Sequence, residues 1–409
     1  MKLKSNSKTY IRSESIFSTL VFITILGVFG FDNLPFIGIV FKGIMILLII
    51  LTLLLNGVRR VNFPIILLFA FSIYCFVLPE YIQGEWSDMF GFNAQTAISV
   101  FIASLYAYSI YIYADNEYHR EKIIRWISIA GLFLGILLTL VAGPTNLLSI
   151  HVDSMTDLLA GYGLQSNHMG FCFGFAFMAS FYRYRRTRER GILLLILFNL
   201  VFTFLSGSRR ALMFCTLSPA IFILLRGNKK KLLINTFWVA LFGVVVFFSI
   251  MRIHALYDLI GYRIASLFDV LGGGKGEDTT VTRAFMIEYG FELFLQNPIW
   301  GYGLNYFSVS YGEISGHEVY AHNNYIELMV SGGLVLLFLY YSKFVSVIRS
   351  LFKNHEHNLQ SVLFLSILLT LIFSDMASVT YYNRAYYAIF GLALACANIS
   401  DQKMKIVRG

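Results

Sequence analysis

Apolar runs separated by short polar segments recur along almost the whole chain. They cover Ile16 to Gly30, Phe36 to Leu55, Phe63 to Leu78, Phe92 to Tyr113, Ile124 to Ala142 and Leu158 to Tyr182. The series continues with Gly191 to Leu205, Ala211 to Leu225, Leu232 to Met251, Tyr325 to Tyr341, Leu359 to Phe373 and Ala385 to Ala397. Runs of this length predict about 12 transmembrane helices, at about 20 mostly apolar residues each. A polar basic tail, Met1 to Ser15, precedes the first run, and no small-residue cleavage site follows it, so the first span reads as an anchor. The pattern is interrupted for any length only between Arg252 and Ala321. The expected architecture is all-α, one polytopic membrane domain over residues 1–409 with a large loop, 252–321, that carries short amphipathic helices.

Composition agrees with that pattern. Hydrophobic residues make up 57% of the chain, charged residues only 13%, and the mean hydropathy is +0.68. These values exclude a soluble globular protein. Cys75, Cys172, Cys215 and Cys396 are far apart and lie in apolar runs, which speaks against a metal pair or a disulfide framework. The net charge of +9 raises nucleic acid as a partner. The basic residues are spread over loops rather than gathered with stacking aromatics, so membrane topology accounts for them better. With a cytoplasmic N-terminus, alternate loops from Arg59 and Arg60 to the last, Lys343 to Lys353, together with both tails, hold about 24 of the 32 Lys and Arg, a positive-inside bias. Both termini are then expected in the cytoplasm, and the loop 252–321 and the short SGSRR turn outside.

Most polar groups suited to chemistry fall in two places, the turn at Ser208 and the stretch from Thr279 to Gly333. Arg209 and Arg210 sit at the outer end of two helices, where positive charge is least expected. Headgroup snorkelling and a phosphate ligand both account for them. From Val281 to Gln296 the apolar residues Ala284, Ile287, Phe291, Phe294 and Leu295 recur at helical spacing, so a helix is predicted to lie on the membrane domain through that face. Glu288, Glu292 and Gln296 fall roughly opposite Arg283 on the helix, which directs Arg283 to the apolar boundary near lipid phosphates.

The segment NPIWGYGLNYF follows. Pro298 ends the helix, Gly301 and Gly303 permit a tight turn, and Trp300, Tyr302, Tyr306 and Phe307 offer rings for sugar stacking or for membrane-interface anchoring. GGGKGEDTT fails as a phosphate loop, because Asp269 and Gly276 occupy positions that need Gly and Ser or Thr. His322 opens HNNYIEL at a predicted helix N-terminus, where imidazolium is disfavoured and a neutral, proton-accepting ring is expected. An ordinary interfacial histidine is the competing reading. Glu327 lies about 140° further round that helix, which points it to a polar partner within the bundle rather than to His322.

Three pieces taken together, SGSRRALM from Ser206, Arg283 ahead of NPIWGYGLNYF, and AHNNYIELMVSGGL from Ala321, resemble the O-antigen ligase and O-antigen (Wzy-type) polymerase superfamily. GYGLQSNHMGF from Gly161 resembles the helix that often precedes them. The resemblance implies a GT-C-like membrane glycosyltransferase that moves a glycan from a polyprenyl diphosphate to an acceptor hydroxyl. Arg209 and Arg283 would hold the diphosphate and His322 would assist deprotonation of the acceptor. Arg210, Asn323, Glu327, Trp300, Tyr302 and Tyr306 would complete the substrate site. No metal and no cofactor is implied, since guanidinium groups can supply the charge that departing diphosphate requires.

The expected function is polymerisation of a surface polysaccharide such as capsule, exopolysaccharide or O-antigen, at the outer face of a bacterial cytoplasmic membrane. A ligase passing a finished glycan to a lipid, protein or wall acceptor is the alternative within the class. A lipid-linked oligosaccharide flippase or transporter is the alternative outside it, weakened by the absence of an evident repeat. Expected partners are the lipid-linked oligosaccharide, membrane lipid, a chain-length regulator and a flippase, with no nucleic acid.

Overall fold

A computed structural model of the chain describes residues 7–31, 35–57, 61–78, 81–82, 85–86, 95–143, 166–206, 208–226, 229–254, 257, 261–271 and 278–408. Arg59 and Arg60, the stretch Gly161 to Gln165, Gly207 and the Gly272 to Glu277 part of the rejected phosphate loop lie outside them. Among the described residues every predicted apolar run lies on a helix: α1 (Ser7–Leu26), α2 (Pro35–Asn56), α3 (Phe63–Val77), α4 (Gln95–Tyr113), α5 (Glu117–Ala142), α6 (Ser166–Thr187), α7 (Gly191–Leu205), α8 (Arg209–Arg226), α9 (Lys229–Arg252), α13 (Asn324–Asn354), α14 (Leu359–Ser374) and α15 (Arg384–Arg408). The long loop carries α10 (Tyr262–Leu271), α11 (Asp278–Gln296) and α12 (Tyr306–Ser315). A two-residue ladder, Tyr81–Ile82 with Glu85–Trp86, is the described strand pairing.

Seven of the described helices are long and apolar enough to cross a membrane, and α3 and α7 are shorter apolar helices. The expected count of about 12 therefore stands only as a set of helices, not as a set of spans. Leu54, Leu140 and Leu194 are each more than 70% exposed, which hydrocarbon tolerates and water does not. Hydroxyls within these helices turn back onto the preceding carbonyls, as Thr52 does to Leu48 at 2.7 Å and Ser366 does to Leu363 at 2.8 Å.

The chain divides into two compact units, residues 1–60 with 105–211 and residues 61–104 with 212–409. In the first, α5, α6 and α7 pack through small residues. A Cβ on Gly131 would collide with Ala176, and Ser128 and Ser180 bond each other at 2.7 Å. Arg186 binds Glu117 at 2.8 Å and also Glu121.

In the second unit α13 is central, packed by α3, α11, α14 and α15. It runs on to Asn354, so Lys343, counted from sequence as a loop charge, lies inside the helix. It is 1% exposed, with its ammonium 4.0 Å from the Tyr340 ring centre and 4.3 Å from that of Phe71.

The helical path of α13 is broken at Gly332 (φ −140°, ψ 18°) and Gly333 (φ 61°, ψ −157°). A continuous helix would pair the N–H of Leu334 with Val330 and that of Val335 with Ser331. Instead Leu334 donates to Pro298 O at 2.8 Å and Val335 to Ile299 O at 3.4 Å, while the freed carbonyls of Val330 and Ser331 accept from Tyr302 and Gly303, each at 2.8 Å. The turn Asn297 to Gly303 thus replaces two missing rungs of the helix, which in an apolar setting must be replaced. A Cβ on Gly301 would lie 2.6 Å from the backbone of Ser331 and Gly332, and one on Gly333 would strike the carbonyls of Pro298 and Ile299.

Gly333→Ala is expected to destabilise the protein by at least about 1–3 kcal/mol, because its backbone conformation is open essentially to glycine alone. Gly43→Ala, a helical glycine with open space around it, should be neutral or slightly stabilising. Thermal unfolding of the two purified variants checks the contrast.

Candidate functional site

The second unit brings α11, α12 and the first half of α13 together through one apolar cluster. Met286 and Leu293 of α11, Phe307 and Tyr311 of α12, and Ala321, Ile326 and Val330 are all buried in it. The packed stripe of α11 is therefore Met286, Gly290 and Leu293, and the face predicted from periodicity is buried only at Phe294. Ile287, Phe291 and Leu295 are 40%, 47% and 61% exposed. Most of the predicted face is thus left uncovered, with Ala284 exposed as well and Phe294 alone of its five residues buried. Arg283 precedes Met286 by three residues and Gly290 by seven, so it continues the packed stripe. Gly290 has no side chain because Ile326 and Phe307 close in on it.

That register carries the charge of Arg283 to His322. His322 sits in the left-handed backbone region, φ 52°, immediately ahead of α13. Two clamps hold it there. On one side the buried Glu327 accepts from the N–H of Ala321 at 3.0 Å. On the other Asn323 caps α13, its side-chain oxygen accepting from the N–H of Tyr325 at 2.9 Å and of Ile326 at 3.2 Å. The partner of Glu327 is thus the backbone beside His322 rather than a polar group deeper in the bundle, and the side-chain oxygen of Asn323 is engaged by its own helix.

The imidazole is half-buried against Tyr320, with ring centres 4.3 Å apart. Burial, and then the charge of Arg283, lower its pKa from 6.5 to about 4. The ring is therefore neutral at physiological pH. Its folded pKa lies below the unfolded value, so the unfolded chain takes up the proton first. Stability from this group is full above about pH 6.5 and declines as the pH falls toward 4.

A buried polar network, which the sequence reading did not single out, ties the far wall to the same helix start. Asn324 is fully buried, and its side-chain oxygen accepts from the N–H groups of Thr380 at 2.9 Å and Tyr381 at 3.1 Å. Its amide nitrogen approaches Tyr341 at 3.2 Å and Asp375 at 3.4 Å. Asp375 in turn accepts from Tyr341 at 2.9 Å and Thr380 at 2.6 Å. The loop 378–383 is thereby held to the residues around His322. In one-dimensional terms Asp375 is 51 residues from Asn324, so only the second asparagine of the HNNY run offered a signal.

Of the ring-bearing candidates, Tyr302 and Tyr306 stack on each other at 4.5 Å, and Tyr302 also donates to Gln296 at 3.2 Å. Trp300 is 61% exposed.

In the first unit, Ser208 caps α8: its hydroxyl accepts from the N–H of Ala211 at 3.4 Å and donates to Asn167 at 3.1 Å. Arg209 is the first residue of α8, and its side chain lies outside the described residues. Arg210 is buried, its guanidinium 4.4 Å over the ring of Phe171, and its Nε meets no acceptor among the described residues.

A family model described as O-antigen ligase matches residues 191–341. That segment is similar to the O-antigen ligase family. The matched segment is less than half of the chain and spans Arg209, Arg283 and His322. It supports the expected resemblance to the O-antigen ligase and polymerase superfamily, and the apolar helices support a multi-pass membrane protein. No curated protein matches the chain.

If the Glu327 clamp sets the position of His322, Glu327→Gln, which keeps an acceptor oxygen, should retain most activity. Glu327→Leu leaves the Ala321 N–H buried and unpaired, at about 1–3 kcal/mol, and should lose activity while remaining inserted. Turnover and thermal unfolding of both variants check this.

Proposed function

We propose that the protein is a metal-independent membrane glycosyltransferase that polymerises a surface polysaccharide from polyprenyl-diphosphate-linked repeat units at the outer membrane face. The observation that carries this reading is the pairing of a neutral, partly desolvated His322 with the charge of Arg283. One group accepts a proton and the other offers fixed positive charge, the two functions that departure of a diphosphate from a sugar requires.

In this mechanism the acceptor hydroxyl of the next lipid-linked unit gives its proton to His322. Its oxygen bonds to the anomeric carbon of the growing chain, and the bond from that carbon to the diphosphate breaks. The electron pair leaves on polyprenyl diphosphate, beside Arg283. With a pKa of about 4 the free ring is a weak base. Bound diphosphate would offset Arg283 and raise the basicity of His322 when the donor is in place. Arg209 would serve the diphosphate as the family resemblance implies. Arg210, committed to Phe171, is expected to matter for packing more than for turnover. The positive-inside bias supports an outward-facing site with both termini in the cytoplasm.

Ligation of a finished glycan to a second acceptor is the alternative reading, favoured by the description of the matching family. Purified protein given lipid-linked repeat units alone separates the two. A ladder of products means polymerisation, and no product without a second acceptor means ligation. Product should form in the presence of a chelator, and His322→Ala should lower turnover by roughly 10² to 10⁴. An unchanged rate in His322→Ala overturns the role of the ring.

A further inference from the structure

Next to the His322 turn the second unit holds a cavity of about 440 Å³. Its walls are the first turn of α4 (Gln95 to Ser99), Asn305 and Ser308 at the start of α12, the segment Glu318 to Tyr320, Glu327, and the loop 379–382 held by Asn324. Among the described residues lining it, none is basic. The lining instead offers amides, hydroxyls, two carboxylates and three tyrosines.

We propose that this cavity binds the terminal sugar of the acceptor glycan, and that it takes a neutral or amino sugar in preference to an acidic one. The inference rests on the transferase reading and adds to it the place and chemical class of the acceptor.

Three observations carry it. The volume is within the roughly 300–1,000 Å³ of small-ligand sites, enough for a sugar ring or two. The lining chemistry suits hydroxyl-rich ligands: amide and hydroxyl groups both give and accept hydrogen bonds, and tyrosine rings cover the apolar faces of pyranoses. A diphosphate would find no countercharge among the described lining residues, so the cavity and the neighbourhood of Arg283 divide the two halves of the substrate by charge. Finally, two of its wall residues belong to the His322 turn. Tyr320 lies tilted against the imidazole at 4.3 Å between ring centres, and Glu327 holds the N–H of Ala321 at 3.0 Å. A hydroxyl projecting from a sugar past Tyr320 would face the proton-accepting ring.

Specificity is assigned to Glu318. It is exposed at the cavity while Glu327 is buried, so it is the carboxylate that an incoming uronate meets first. The repulsion between exposed groups is modest, roughly a five-fold loss of binding.

Saturation-transfer NMR on the full chain in nanodiscs tests the proposal without relying on turnover. The probes are methyl glycosides of glucose, galactose and N-acetylglucosamine, and of glucuronic acid. The neutral glycosides should receive saturation and the glucuronide roughly five-fold less. Glu318→Lys, a change at an exposed position, should reverse that order, and Ser308→Trp, which fills the cavity, should abolish transfer to all four. His322→Ala should leave glycoside binding intact while removing product formation, so failure of the transferase reading would not be confused with failure of the cavity. No saturation of any neutral glycoside overturns the proposal. So does binding that persists unchanged in a folded Ser308→Trp protein, or a glucuronide preference indifferent to Glu318→Lys.

Discussion

Backbone hydrogen bonding has to be complete wherever water is absent, and the second unit meets that constraint by an exchange between two distant segments. Helix α13 gives up two of its own rungs at Gly332 and Gly333, and the turn from Asn297 to Gly303 supplies the replacements. The exchange fixes the C-terminal end of α11 against the middle of α13. Because α11 is rigid, its N-terminal part is fixed as well. The charge of Arg283 comes to act on His322 for this reason. The four glycines at the junction, Gly301, Gly303, Gly332 and Gly333, are the sequence expression of the same constraint, since a side chain at Gly301 or Gly333 would displace the backbone it must pair with.

The start of α13 is the second fixed point. Glu327 and Asn323 hold His322 from either side, and Asn324 ties down the loop that follows α14. These groups are polar, buried and mutually satisfied, which in a low-dielectric setting favours one arrangement over its neighbours. A left-handed backbone at a histidine costs of order 1–3 kcal/mol and persists only where the surroundings over-determine it. Here they do, and the result is an imidazole kept partly dry, neutral and close to positive charge.

Much of this was legible in the sequence and some was not, for physical reasons. Among the described residues the apolar runs marked the twelve helices outside the long loop, since hydrocarbon demands length and composition. They did not say which helices cross, because 15-residue segments such as α3 and α7 satisfy composition without the length. Arg283 and His322 stand out in the sequence by charge placement and by the resemblance, and the structure brings the charge of one to bear on the other. The packed face of α11 is only partly the periodic one: Phe294 is buried, whereas Ile287, Phe291 and Leu295 are exposed and Met286 and Leu293 make the contact. Lys343 was placed in a loop by its charge, although an aromatic surround holds it inside α13. The pairing of Asn324 with Asp375, and of the Pro298 turn with Gly333, joins residues far apart in the chain, and no local pattern encodes such contacts.

The central claim is that His322 works as a neutral base whose pKa is set by burial and Arg283. The pH dependence of kcat and of kcat/KM, measured on the intact protein in bilayers with lipid-linked repeat units, tests it most directly. The free ring titrates near 4, so the acid limb of kcat/KM should lie near that pH. The limb of kcat should lie higher, because bound diphosphate offsets Arg283, and both limbs should vanish in His322→Gln along with most of the turnover. A kcat/KM limb at or above about 6.5, the unperturbed value, or an active His322→Gln protein with unchanged limbs, would contradict the account.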